Sequence, residues 1–484
     1  MISVQKYKLE QIPKQLAEKE TRLIAAAVLT PEQIQTELEK TRQKLIADAQ
    51  LQTPALSAND RSRWDTIRVL VEPEMQAPGG NLYAIDKAQN EKNWDTIDMV
   101  KHDGHLYSSK PPLLPTILAI PYSLIYHPSG QQWTLGKTPF LVVRLMLVLC
   151  NLIPIIIGWI LLSRLVEQYG TTDWGRIFTM AFICFGTFVS TFAVTLNNHL
   201  PAVLAVIVAF YLVQKKEPVE TQRAATGILA VIDSFLPPMT NTNRNFSAGM
   251  CAAFAVACEL PALLFCVLLP VCWIREDNRT VSAWAKKLLP YFGGCLCIAV
   301  MFFATNYAAH RTILPAYSQP GWYFYEYERG GVVRQSYWHN PSKIDQGEPS
   351  RAAYLWHCTF GHHGLFSLTP VWLLSFIGLG MWLRNKDLRL IAAMILFTSI
   401  VVFVFYMMQA QPNRNYGGMT SCLRWMLWFV PLWSVPLVTA ADWLSKTALW
   451  RGIAYSCLAM SVMSVSYPVW NPWTHPWLYN LLAG

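Results

Sequence analysis

Apolar runs about 20 residues long recur from Thr138 to the end of this chain, and they constrain its fold more than any other feature. A helix needs about that many apolar residues to cross the hydrocarbon core of a bilayer. Thr138–Ser163, Ile177–Leu196, Leu288–Tyr307, Leu365–Leu383, Leu388–Met408 and Leu423–Ala440 meet the requirement. Leu200–Val213, Phe246–Ala257, Leu260–Ile274 and Gly452–Tyr467 are shorter, and the pair around Glu259 reads equally as a tilted hairpin. The pattern predicts an all-α, polytopic transmembrane bundle of about ten spans. Composition agrees: of 484 residues, 53% are hydrophobic and 14% charged, against roughly 25% charged in soluble domains.

The net charge of +9 does not point to nucleic acid, because the basic residues are scattered through short loops between apolar runs. They alternate from loop to loop. Arg164 and Arg176 lie in one set, with Lys215, Lys216, Arg223, Arg275, Arg279, Lys286, Lys287, Arg384, Lys386, Arg389, Lys446 and Arg451. Asn197-Asn198-His199 and the tail after Tyr467 carry none. The positive-inside rule makes the first set cytoplasmic. The second set faces outward, including the loop from about 308 to 364.

Residues 1–137 are largely polar and fall on the outer side by the same rule, although nothing in them reads as an export signal. A further transmembrane helix upstream is therefore expected; an atypical cytoplasmic tail is the alternative. The chain divides into an extracytoplasmic first-loop region over 1–137, with interfacial helices, and a bundle over 138–484. Pro31–Gln50 reads as a solvated helix, with Pro31 at its start and mixed charges along it. Pro112–Tyr126, broken by Pro115 and Pro121, reads as a helix lying in the interface. Most cysteines fall inside apolar runs and read as packing. Cys358 and Cys422, nearer water, leave a disulfide open.

Three outward patches collect polar residues: Asn59-Asp60-Arg61-Ser62-Arg63-Trp64, the run from His102 to Leu114, and Arg414-Asn415-Tyr416-Gly417-Gly418 with Arg424-Trp425. Cations at the lip of an apolar bundle suit a lipid-linked phosphate whose tail remains in the bilayer. His102, His105, His362 and His363 show no metal-ligand spacing and read as solvated loop histidines. A divalent metal is therefore unsupported, and no cofactor is expected.

Asn59-Asp60 with Arg63-Trp64, then Gly104-His105-Leu106-Tyr107-Ser108-Ser109-Lys110-Pro111-Pro112-Leu113, then Arg144 opening the next helix, carry a resemblance. The chain resembles the polyprenyl-phosphate-sugar glycosyltransferases of the GT-C fold class. Within that class it is similar to glycosyltransferase family 39, whose relatives include protein O-mannosyltransferases and lipid A aminoarabinose transferases. The likeness runs loosely from Ser57 to about Tyr467.

The resemblance implies a membrane transferase, in a bacterial inner membrane, that moves a sugar from a polyprenyl-phosphate donor to a lipid, glycan or protein acceptor on the extracytoplasmic face. It implies Asp60 as the base that takes the acceptor's proton, and Lys110 as a donor-phosphate ligand. Arg424 or Arg414 is a candidate second clamp, because guanidinium binds phosphate bidentately. One carboxylate acting alone favours single displacement with inversion. Asp60, Lys110 and Arg424 are then expected to converge above a lipid-accessible groove.

Structural roles stand beside these. Asp60 would cap a helix beginning near Arg61. Lys110 and Arg424 would be interface anchors, and Tyr416-Gly417-Gly418 only a turn. The chain also departs from its relatives, which often carry Asp on the turn that here reads Asn197-Asn198-His199, and Lys-Gly where Glu259-Leu260 stands. Asn198, His199, Glu259, Tyr107 and Tyr416 are therefore candidate substrate contacts. A transporter or flippase, or a non-catalytic protein keeping the fold, is the rival reading. A transporter would carry midplane ionisable groups and internal repeats; no repeat is visible, and only Glu259 is placed deep.

Overall fold

A computed structural model describes residues 2–26, 29–50, 55–91, 93–214, 239–275, 280–329, 331–341 and 343–483. The loop cations Lys215, Lys216, Arg223 and Arg279 lie outside the described residues. The architecture is predominantly helical, as expected. Among the described residues, six helices are long and apolar enough to cross a membrane: Pro139–Tyr169, Asp173–Val194, Val281–His310, Arg389–Met407, Arg424–Leu444 and Ala448–Ser466. Four shorter apolar helices accompany them: Leu113–Tyr126, His199–Gln214, Leu260–Trp273 and Val371–Arg384.

Burial separates the centre of the bundle from its rim. In the best window of Arg424–Leu444, 83% of the residues are buried, against 17% in Val281–His310. The first is the axis of the core, where Trp428, Phe429 and Trp433 stack against one another and Trp372. The second presents Leu289, Phe292, Leu296, Val300 and Phe303 outward, an apolar face of the kind that marks a membrane or protein contact. It meets Asn241–Cys258 backbone to backbone: a Cβ on Gly249 would lie 1.9 Å from the Tyr291 carbonyl oxygen, and one on Gly294 would lie 2.0 Å from that of Phe246. Small residues permit such approach between membrane helices.

Several elements differ from their sequence expectation. The run Leu365–Leu383 is not one helix. Thr369-Pro370 divides it into Leu365–Leu368 and Val371–Arg384, because proline has no amide hydrogen to continue the first helix. Gly452–Tyr467, read as short, belongs to the 19-residue helix Ala448–Ser466. Two antiparallel hairpins, unexpected in the sequence, join Met99–His102 to His105–Ser108 and Glu326–Arg329 to Val332–Gln335. The first turns through Asp103 (φ 50°) and Gly104 (φ 81°), the left-handed pair that a two-residue hairpin turn requires.

Pro31–Gln50 is a helix with the expected bounds. It is not wholly solvated, since Ile34 is buried, as is Ile12 on the neighbouring helix Ile2–Ala26. Cys358 and Cys422 are buried free thiols, so the disulfide left open does not form.

The turns group by end. Thr171 and Thr172, beside Arg176, bind the Asp442 carboxylate near Lys446. The turns poor in basic residues meet at the other end, where Asn198 reaches Glu259 and His199 reaches Arg424.

Candidate active site

The site begins at the first turn of helix Ala58–Val71. Its N-cap is Ser57, whose hydroxyl accepts from the Asp60 amide at 3.1 Å, so Asp60 is not the cap. Asp60 sits one turn in and reaches back to accept from the Leu56 amide at 3.1 Å. Its other oxygen accepts from the Thr195 hydroxyl. That hydroxyl in turn accepts from the Trp473 indole at 3.0 Å. Asp60 is 1% exposed. Burial pushes its carboxyl up to about 6, against the opposing pull of Thr195, Leu56, Arg63 and Arg61.

One helical step on, Arg63 shares this face and is also buried. Its guanidinium donates to Asn59 and, at 2.6 Å, to the Asn198 side chain. Burial pushes it down to about 10, opposed by Asp98 and Asp60. Asn198 donates to Glu259 at 2.6 Å, and Glu259 pairs with His199 Nδ1. Arg424 approaches His199 Nε2 at 2.7 Å. Arginine only donates, so His199 Nε2 is an acceptor and Nδ1 carries the proton facing Glu259. Arg424 also donates to the Gly417 carbonyl and lies 5.0 Å from the Trp473 ring centroid.

Lys110 enters from the first hairpin. Ser62, next to Arg63, bonds the Ser108 hydroxyl and the Asp98 carbonyl and so fastens the hairpin to the helix. Lys110 then meets the Asp98 carboxylate at 2.9 Å. Burial works against the Asp98 charge, yet Lys110, Arg63 and Arg424 hold its carboxyl below the usual range. Burial pulls Lys110 below its ordinary value, while Asp98 raises it and Arg63 and Arg424 add to the fall. Lys110 is thus bonded to Asp98, while the charges of Arg63 and Arg424 also act on that carboxylate, and the Arg63 charge acts on Asp60 as well.

The structure brings together Asp60, Lys110, Arg424, Asn198, His199 and Glu259. It directs others elsewhere. Arg414 donates to the Pro349 carbonyl at 3.0 Å. Tyr416 donates to Glu348 and stacks on His363 at 4.1 Å. Tyr107 stacks on His102 at 4.1 Å, and burial pushes its hydroxyl up to about 12. His102, His362 and His363 are buried rather than solvated, which corrects the expectation for them.

Sequence reasoning missed Asp98 and gave Arg63 no role of its own. Arg63 lay in plain view three residues after Asp60. Asp98 had a weaker signal: the Asp103-Gly104 turn implies a hairpin, and its pairing aligns Met99 with Ser108.

No protein-family model matches this chain, and no characterised protein sequence does. Among solved structures, the chain is similar to the crystal structure of ArnT from Cupriavidus metallidurans in the apo state, with 13% identity and a TM-score of 0.44. The alignment covers 85% of this chain and 59% of that one. A likeness of that size carries neither a family nor an activity to this chain.

Proposed function

We propose that this protein is a membrane glycosyltransferase that moves a sugar from a polyprenyl-phosphate donor to an acceptor on the extracytoplasmic face. The observation that carries the reading is the Lys110–Asp98 pair at 2.9 Å, with Arg63 and Arg424 both lowering the Asp98 carboxyl and Arg63 also acting on the buried carboxylate of Asp60. Polyprenyl phosphate leaves as an anion, so the reaction needs fixed positive charge more than it needs an acid. In this reading the donor phosphate takes the place of Asp98 against Lys110, with Arg63 and Arg424 completing the clamp. Arg63, not Arg414, is the third cation. Asp98 keeps Lys110 charged and aimed until the donor arrives.

Asp60 takes the acceptor hydroxyl's proton as the sugar's anomeric carbon passes from phosphate oxygen to acceptor oxygen, with inversion. Its carboxylate accepts two hydrogen bonds, leaving lone pairs for a third. Asn198, His199 and Glu259 hold Arg63 and Arg424 in place. They are positioning residues, since their side-chain bonds run to those guanidinium groups, to one another and to the Cys258 carbonyl. The acidic and basic groups gather at one end of the bundle, where a carrier phosphate would sit with its chain in lipid. A transporter would place them midway.

The experiment is incubation of membranes containing the protein with polyprenyl-phosphate sugars labelled in the sugar. Label should pass to an acceptor with the wild type and not with Asp60→Asn present at equal abundance. Equal transfer by the variant would remove Asp60 from the chemistry.

A further inference from the structure

A second polar cluster lies away from the first, where the outer loop meets helix Arg351–Thr359. Glu348, His357 and His362 each bring one ligand atom within 4.8 Å of the others. We propose that these three residues bind a divalent cation of the zinc class. Two imidazoles and one carboxylate suit such an ion, which leaves a further position for water. A bound ion would draw its ligand atoms to roughly 3.4 Å apart, given metal–ligand bonds of about 2.1 Å. The His357 and His362 rings stack with centroids 3.8 Å apart and planes 21° apart, so one ring turns out of the stack when both lone pairs face the ion.

The surroundings prepare these groups as ligands. The Thr420 carbonyl lies 3.0 Å from His363 Nε2, and a carbonyl only accepts, so Nε2 carries the proton. His363 Nδ1 then presents a lone pair to His362 Nδ1, its neighbour at 2.5 Å. His362 must donate there, which leaves its Nε2 as a lone pair. Such backing by a carbonyl is how proteins fix the tautomer of a metal-binding histidine. His357 Nδ1 is buried and has no hydrogen-bond partner among the described residues. Tyr416 donates to Glu348 Oε1 at 3.1 Å, orienting that carboxylate while its second oxygen stays available. Gly361 leaves room for the arrangement: a Cβ there would lie 2.5 Å from His357 Nδ1.

An ion at this point would tie three segments together. The Glu348 amide already donates to the Arg414 carbonyl at 2.7 Å, and the Tyr354 hydroxyl donates to the Asn415 carbonyl at 2.7 Å. Two residues on, Gly417 accepts from Arg424. The ion would therefore fix the 414–418 loop, on which the Arg424 guanidinium leans. The inference rests on its own geometry and stands or falls apart from the sugar-transfer reading.

The test uses the full chain, purified in detergent without a histidine tag, stripped with EDTA and reloaded with zinc alone. Wild type should retain about one zinc per chain by elemental analysis, as three protein ligands hold one ion. His357→Gln, His362→Ala and Glu348→Gln should each bind at least about tenfold more weakly. His105→Ala, a control on a distant histidine, should bind as wild type does. Retention of zinc by all three ligand variants at the wild-type level would overturn the proposal, as would no zinc above a detergent blank. Cobalt substitution of the wild type guards against variants that misfold. Intense visible bands of four- or five-coordinate cobalt are expected, and the weak spectrum of the hexaaqua ion would contradict the site.

Discussion

Asp60 is where the chemistry and the stability of this protein pull against each other. Its carboxyl is raised from 3.8 to about 6 by burial, so in its proposed role as base it is ionised only above that value. Transfer should rise with pH through about 6 and then level, read as kcat/KM against pH. Stability should run the other way. The folded state holds this proton more tightly than the unfolded state, so the native form loses stability as pH rises from 3.8 through 6. A shift of that size is worth up to about 3 kcal/mol. Asp60→Asn has no such charge to bury. Its melting temperature should therefore gain on wild type between pH 4 and pH 7.5, and a gap that does not change with pH would contradict the assigned burial cost. Asp60 and Lys110 were legible because each stands in a motif that resembles a known family. Asp98 was not, because a lone aspartate between Ile97 and Met99 acquires meaning only when the hairpin folds it against Lys110. His362 and His363 misled for a related reason. Adjacent histidines in an outer loop read as solvated, and only the tertiary fold lays Tyr416 over the His363 ring.

At the scale of elements, long apolar periodicity fixed most helices, while short elements escaped. Strands of four residues carry too little pattern to register, although Asp103-Gly104 was a turn signal in plain sight. Pro370 was equally visible, yet the apolar content around it outweighed the break. Close packing of helices Asn241–Cys258 and Val281–His310 gives a sharp test of element-level energetics. Gly249→Val drives a side chain into the Tyr291 carbonyl and should cost on the order of 1–3 kcal/mol or more, as overpacking does. Gly293→Ala, whose Cβ would lie 3.8 Å from the Phe246 ring, should be tolerated. Thermal unfolding of the two variants in detergent should separate them clearly. Equal melting temperatures would mean that the helices do not meet as described.

The whole molecule is a membrane bundle whose two ends differ in chemistry. One end gathers Arg176, Asp442 and the threonines that bind it. The other gathers Asp60, Arg63, Asp98, Lys110, Glu259 and Arg424, drawn from five separate stretches of sequence. That gathering was only partly legible. Charge alternation put the turns at Arg176 and Lys446 in one set, and Thr171 and Thr172 do bind Asp442, but side-chain partnerships across 135 residues, such as Arg63 with Asn198, need the fold. In the proposed function, this end cleaves a lipid-linked sugar phosphate. The most direct measurement is single-turnover release of polyprenyl phosphate from a labelled polyprenyl-phosphate sugar by the purified protein, supplied with membrane extract as acceptor. Wild type should release it and pass the sugar on with inverted configuration, while Asp60→Asn should bind the donor and release none. Release by Asp60→Asn at the wild-type rate would contradict the account.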